Sequence, residues 1–370
     1  MVLAIQKRWG IMKRIILAGG GHGHINVLKN LIKNPIKDHE IILITDSSRQ
    51  YYSGMLAGFI EGIYTEEEIS FDIPKLCRLA GVSYVEEKIV SLDKKNQRVV
   101  TQNNSYTYDY LSVNLGSLSR VNFLTDYKDV TLVKPILNVV NVKDEIVELS
   151  KLKKNPKISF IGAGASGIEL SLSFKAAFPS TEISLITAHD ILPNFNQKAR
   201  NRFEKLLAKK DIRIIKNEIV TEVKDNKIFT TRASYDFDHA FVTSGFRGPD
   251  VGFDGFLTMD KNYLAADEKL FLADNVLAMG DVASITSYPN MPKTGVYAIR
   301  EAPILYENLL KLISGERDFK SYKPQEKYLQ IINCGNKKAL SNYGNFYSYG
   351  RLSWKIKDKI DRGYMKVEDK

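Results

Sequence analysis

At 370 residues the chain has room for about two domains of roughly 150 residues each. Hydrophobic residues at 44% and charged residues at 26% describe a folded globular protein and exclude long disorder. The 53 Lys and Arg against 43 Asp and Glu leave a net charge of +10, which favours anionic partners such as dinucleotides or phospholipid head groups. Two cysteines, Cys77 and Cys334, cannot build a disulfide framework, a C-x-x-C redox pair or a zinc site. No metal site is expected. No apolar run reaches the length of a membrane-spanning helix. Lys7, Arg8 and Trp9 stand where a signal peptide carries its apolar core, so no secretion signal is read and a cytoplasmic protein is expected. Residues 1–11 read as a dispensable extension before the first strand.

Along the chain, one pattern occurs twice: apolar strand, glycine turn, helix, strand. The first copy runs from strand Ile15–Ala18 through Gly19-Gly20-Gly21-His22-Gly23-His24 and a helix over Ile25–Ile32 to strand Glu40–Asp46. Cys77 lies in an amphipathic helical stretch, Pro74–Leu79, and reads as a packed small hydrophobe. Tyr84–Val90 and Arg98–Val100 have the two-residue alternation of strands. Tyr108–Ser117 is a short strand that ends in the small residues Asn114, Gly116 and Ser117. Lys151–Pro156 reads as a surface lead-in to the second copy. That copy runs from strand Ile158–Ile161 through Gly162-Ala163-Gly164-Ala165-Ser166-Gly167 and a helix from Ile168 to strand Glu182–Thr187. A second Gly-terminated strand follows, Phe241–Gly245. Then comes Val276–Ala283, an apolar strand that ends in Gly280-Asp281. Continuous Val/Ile/Leu runs alternating with helices imply parallel sheets with right-handed crossovers.

The glycine turns carry the chemistry. A dinucleotide diphosphate sits at a helix N-terminus, where free N–H groups and the helix dipole favour negative charge. Glycine lets the backbone approach it, and an acid at the end of the second strand takes the ribose hydroxyls. Gly19, Gly21 and Asp46 fit the first turn, but His24 takes the third glycine position and must push the helix away or fill a local gap. The second turn has all three glycines, with Glu169 just after, but Thr187 where the acid belongs. One such turn is a weak signal. Two in register, 143 residues apart, leave chance a poor explanation. Asp281 reads either as a hydrogen-bond partner for a flavin's ribityl chain or as a helix N-cap, and the two roles are compatible.

With this order of motifs the chain resembles the two-dinucleotide-domain flavoproteins, the pyridine nucleotide–disulfide oxidoreductase superfamily. It is most similar to a type II NADH dehydrogenase-like branch whose members often occur fused in front of selenide, water dikinase. The matching stretches are Gly19–His24, Tyr52–Gly58, Pro292–Glu301 and Lys357–Met365. The resemblance implies an α/β fold of two Rossmann-like domains, an FAD domain with an inserted NAD(P)H domain. Residues 12–122 and 253–320 would form the FAD-binding part, 123–252 the insert, and 321–370 a C-terminal segment. It implies FAD held by Gly19, Gly21, His22, His24, Asp46, Gly280 and Asp281, with Asn114, Gly116 and Ser117 closing that site. NAD(P)H would lie near Gly162, Gly164, Gly167 and Gly245, with Glu169 facing the nicotinamide carboxamide.

Three departures bear on the reaction. No cysteine pair follows the first turn, which argues against disulfide reduction. Cys334 reads as a core residue, and a single thiol would not make a two-thiol relay to sulfide. The two glutamines with which type II NADH dehydrogenases read quinone correspond to Val296 and Arg300, so the acceptor stays open: a quinone or another small molecule. Lys293, with Arg300, reads either as a positive surround for an anionic reduced flavin or substrate, or as an ordinary surface cation. Leu352, Ile356, Ile360 and Tyr364 recur every four residues on one helical stripe flanked by lysines. The stripe is expected to pack on the protein's own FAD domain; the alternative is peripheral membrane contact. The leading expectation is an FAD-dependent NAD(P)H oxidoreductase. The alternatives are an FAD enzyme that oxidises sulfur or selenium species beside a vestigial nicotinamide domain, and a non-catalytic redox-sensing flavoprotein. Nucleic acid is not an expected partner, since the basic excess is dispersed and no recognition motif is present.

Overall fold

The computed structural model describes residues 12–119, 121–126 and 128–367. The extension read at residues 1–11 lies outside the described residues. In chain order the helices are α1 His22–Lys33, α2 Ser53–Ile60, α3 Ile73–Ala80, α4 Leu137–Leu152, α5 Ala165–Ala177, α6 Gln197–Lys209, α7 Gly295–Ser314 and α8 Arg351–Met365.

The chain builds two principal sheets, each around one glycine turn. The first has the order Phe271–Ala273, Val276–Ala278, Tyr110–Val113, Lys13–Ala18, His39–Thr45, Ser83–Glu86. All its neighbours run parallel except the first pair. The second has the order Val130–Leu132, His239–Val242, Lys157–Ile161, Glu182–Thr187, Ile212–Lys216, and is parallel throughout. The strands are apolar on both faces because both faces are covered, by helices on one side and on the other by an antiparallel ladder, Ile89–Asp93 with Arg98–Thr101 on the first sheet and Val220–Lys224 with Lys227–Thr230 on the second. Ile15, Ile16, Leu17, Leu43 and Ile44 are fully buried in the first sheet, and Phe160, Leu185 and Phe241 in the second.

Two expectations change. Tyr84–Val90 is not one strand. Ser83–Glu86 ends the first parallel sheet, and Ile89–Asp93 starts an antiparallel ladder with Arg98–Thr101. The chain breaks at Glu87-Lys88, where Glu87 turns to the Thr101 hydroxyl and Asn104.

The second change is at the C-terminus. Helix α8 follows a three-stranded antiparallel sheet, Gln330–Asn333, Ala339–Tyr343 and Phe346–Gly350, and packs against it and α2. The face it turns inward is Ser353, Lys357 and Asp361, all buried. Leu352, Ile356 and Ile360 point outward with 69%, 42% and 51% of their surface exposed. The apolar stripe therefore does not pack on the FAD domain; of its four members only Tyr364 turns inward.

Candidate dinucleotide and redox site

The two turns superpose in their bonding. Gly19 N–H donates to the Ile44 carbonyl and Gly162 N–H to that of Ile186, both at 2.8 Å. Asn114 N–H reaches Ala18 O at 2.8 Å, and Thr243 N–H reaches Ile161 O at 2.9 Å. Gly19 and Gly162 have φ of +95° and +114°, which disfavours any side chain there. Gly21 and Gly164 are the N-caps of α1 and α5, and neither residue supplies a side-chain cap. A Cβ on Gly164 would stand in open space. The α5 start presents uncapped N–H groups, and the α1 start does so apart from Gly23 N–H, which Asn114 takes, in each case a cradle that suits a diphosphate.

The third position shows why one turn has histidine. A Cβ at Gly167 would lie 2.0 Å from Gly162 O, so glycine is required. His24 instead fills a gap completely, at 0% exposure. Its Nδ1 is 2.6 Å from Gly19 O and its Nε2 is 2.8 Å from Ser112 Oγ. A carbonyl only accepts, so Nδ1 carries the proton and Nε2 accepts from the serine. Burial lowers this imidazole to about 4, against a slighter upward pull from its bond to Gly19.

Around the first turn the remaining predicted residues come together. The Asn114 carboxamide oxygen accepts from Gly23 N–H at 2.9 Å, and its Nδ2 donates to Met279 O at 2.9 Å. It thus ties the turn to the Gly280-Asp281 motif. Gly280 N–H donates to Glu301 Oε2 at 2.7 Å. Ser117 donates to Asp281 at 3.0 Å. Gly116 adopts φ +72° beside it. Asp46 is exposed at the carboxyl end of His39–Thr45. Lys293 is not a surface cation: it is half-buried, bonds Ala283 O, and lies 4.8 Å from the Tyr263 ring centroid. Burial lowers its ammonium against the opposing pull of Asp281 and Glu301.

At the second turn Gly245 is exposed with φ +67°, and Thr187 ends its strand half-buried. Glu169 lies in the first turns of α5, facing the C-terminal segment. Its Oε1 accepts from Asn333 N–H at 2.7 Å. Burial raises its carboxyl, partly offset by the Lys357 charge.

Several groups here escape a reading of the turns. Lys357 Nζ bonds Gly54 O and, at 2.7 Å, Asp361 Oδ2. Burial works against its charge, but Glu169 and Asp361 outweigh that and raise its pKa. The Tyr52 hydroxyl donates to Asp361 at 3.1 Å. Tyr364 packs on Tyr52 at 4.6 Å between centroids and places its hydroxyl 2.9 Å from His22 Nδ1. Burial, the largest influence, lowers His22 to about 4, so it is neutral. Lys134, just past the edge strand Val130–Leu132 of the second sheet, pairs with Asp281. The sequence signal for the C-terminal group is the Lys357–Met365 stretch, one of those that carry the family likeness.

Both thiols are core residues. Cys77 and Cys334 are 1% and 0% exposed. Burial pushes Cys77 up to about 12 and Cys334 higher. Neither is poised as a thiolate.

Two glycine-opened helix ends in two parallel sheets, with a buried acid–base cluster between them, define an FAD-dependent oxidoreductase that draws on a pyridine nucleotide. Residues 13–302 match the pyridine nucleotide-disulphide oxidoreductase family, and the chain belongs to it. It is 26% identical over 345 residues to the NADH dehydrogenase-like protein YutJ of Bacillus subtilis, covering 89% of this chain and 91% of that one. It is 20% identical to a type II NADH:quinone oxidoreductase of Staphylococcus aureus, over 82% of this chain and 83% of the relative. Its fold matches the sulfide:quinone oxidoreductase of Aquifex aeolicus with a TM-score of 0.80 at 19% identity, over 95% of this chain and 90% of that one.

Proposed function

We propose that this protein oxidises NADH or NADPH through FAD and reduces a quinone or another small acceptor. The observation that carries this is the pair of equivalent open helix starts, one beside Asp46 and Asp281, the other beside Glu169. In this reading residues 12–122 and 253–320 hold FAD and 123–252 hold the nicotinamide nucleotide. Gly19, Gly21 and the α1 start take the FAD diphosphate, Asp46 takes ribose hydroxyls, and Asp281 takes the ribityl side, with Asn114, Gly116, Ser117 and Gly280 shaping the wall. His22 and His24 act as neutral groups that pack the turn. Gly162, Gly164, Gly167 and Gly245 receive the second dinucleotide, and Glu169 orients its nicotinamide.

Bound in the first site, FAD supplies two-electron exchange between the nicotinamide and the acceptor. The protein's own part is placement and charge. Lys293 sets a cation beside Asp281, and Lys357, Asp361 and Tyr52 hold exchangeable protons in a buried cluster next to Glu169. The purified protein should be yellow. Stopped-flow mixing with NADH or NADPH should bleach its visible band, and a quinone analogue should restore it. A colourless protein that refuses added FAD, or a flavin that neither nucleotide reduces, refutes the proposal.

Thr187 in place of the ribose-binding acid favours a second reading, in which the nicotinamide half is vestigial and a sulfur or selenium species is oxidised. The two buried thiols oppose a thiol relay for it. Flavin bleaching by sulfide without nicotinamide would decide for that reading.

We also propose peripheral membrane contact through the outward stripe Leu352, Ile356 and Ile360, flanked by Lys355 and Lys359. Basic helices with an exposed apolar face lie in the membrane interface. Among the described residues no helix is long and apolar enough to cross a membrane. Vesicles with anionic lipid should capture the wild type and lose a variant with Glu at all three positions. Deleting the helix would be a poor test, because Lys357 and Asp361 would go with it.

A further inference from the structure

Asp281 presents a problem of charge. It is a half-buried carboxylate in the wall that would receive a dinucleotide, and a dinucleotide diphosphate carries two negative charges of its own. Unpaired, the carboxylate would repel the ligand whose hydroxyls it is placed to accept. The structure supplies a cation from an unexpected place. Lys134 lies just past Val130–Leu132, the edge strand of the second sheet, 147 residues from Asp281 in the chain, and its ammonium bonds Asp281 Oδ2 and, at 2.9 Å, Ser117 Oγ. The ammonium lies 4.3 Å from the Phe246 ring centroid. Its backbone N–H donates to Ser119 Oγ at 3.2 Å, which fixes the point from which the side chain reaches. The ion pair is about one-fifth exposed on each side, at 21% and 20%.

The geometry also leaves an opening. Both donors to the Asp281 side chain, Lys134 and Ser117, land on Oδ2. Oδ1 is the oxygen left for an incoming hydroxyl. Burial alone would raise the Asp281 carboxyl; Lys134, then Ser117 and Lys293, outweigh it and hold the group below its usual range.

We propose that Lys134 is a cofactor-positioning residue: it neutralises Asp281 from the edge of the second sheet, so that the free carboxylate oxygen can take a hydroxyl of bound FAD without repelling the diphosphate. The inference rests on the reading that the first turn takes FAD. It makes FAD retention depend on a residue that also marks the entry to the nicotinamide half, so cofactor loading and the docking of the two halves share one ion pair.

The test is the FAD dissociation constant, read from flavin fluorescence on reconstituting apoprotein, in a double-mutant cycle. Lys134→Met leaves Asp281 uncompensated and should weaken FAD binding roughly 30-fold or more, the range for losing one partner of a buried charge pair. Lys134→Arg keeps the charge and should restore most of the affinity. Lys134→Met with Asp281→Asn removes both charges, and the pair of changes should cost less than the product of the two single losses. The melting temperatures of the five apoproteins (wild type, Lys134→Met, Lys134→Arg, Asp281→Asn and the double variant) report folding independently of cofactor. If Lys134→Met alone does not fold, the Arg variant and the comparison of the double variant with Asp281→Asn still carry the test: Arg that fails to retain FAD, or a Lys134→Met change that still weakens binding roughly 30-fold in the Asp281→Asn background, overturns the proposal. A wild-type protein that binds FAD no better than Lys134→Met overturns this inference alone. A wild-type protein that takes up no FAD overturns the reading beneath it as well.

Discussion

His24→Ala tests the account of the first turn. The substitution removes two buried bonds, from Nδ1–H to the Gly19 carbonyl and from the Ser112 hydroxyl to Nε2. Each contributes about 1 kcal/mol net, and each buried partner left unsatisfied costs about 1–3 kcal/mol. The emptied ring volume adds a cavity cost. The expected loss of stability near neutral pH is about 3–5 kcal/mol. This loss depends on pH with a definite sign. Burial lowers His24 from 6.5 to about 4 in the folded protein, so the unfolded chain protonates first. A folded value below the unfolded one means that the contribution is complete above the unfolded pKa. It drains as pH falls and is gone at the folded pKa. At about 1.36 kcal/mol per unit, a span from 6.5 to about 4 corresponds to about 3 kcal/mol. The wild type loses that amount in acid and the variant does not, so the penalty of His24→Ala should nearly vanish near the folded pKa. Urea titrations of both apoproteins by circular dichroism, across that pH range, measure it. A penalty that stays constant or grows in acid would show that the ring is charged in the native state and refute the tautomer assigned above.

Lys357→Met leaves Asp361 buried with no cation and should destabilise the protein by about 3–5 kcal/mol. Adding Asp361→Asn should recover part of that in thermal melts; additive losses would break the pairing. Cys77 and Cys334 should resist iodoacetamide in the native protein at neutral pH and react fully in urea, as mass spectrometry will show. Fast native labelling would reopen the thiol-relay reading. Glu169→Gln removes an ionisable group from the nicotinamide side and should raise the KM for NADH roughly tenfold or more, if its bond to the carboxamide is charge-assisted. An unchanged KM with unchanged bleaching kinetics would take Glu169 out of the nucleotide site.

The local chemistry of the dinucleotide folds was legible in the sequence. Glycines with obligatory positive φ, apolar runs and strand-closing small residues are short-range features, and a turn such as Gly162–Gly167 needs only its own atoms to declare itself. Even Asn114, far from Gly23 in the chain, was marked by its place at a strand end. The break at Glu87-Lys88 was hidden because alternation continues through it while the partner strand changes.

Tertiary structure alone decided the rest. A gap of imidazole size opposite Ser112 made His24 an asset to the turn, and no property of the turn announces that gap. Lys134, Lys357 and Asp361 are ordinary surface residue types until the edge of the second sheet and the C-terminal helix bring them against Asp281, Gly54 and Tyr52. The four-residue period of Leu352, Ile356, Ile360 and Tyr364 correctly grouped residues on a helix face but could not say which face turns inward. Here the inner neighbours of α8 are polar: a backbone carbonyl, a tyrosine hydroxyl and the charge of Glu169. Burying an unpaired charge costs far more than exposing three aliphatic side chains. The helix therefore turns its paired charges inward and leaves its apolar residues outside.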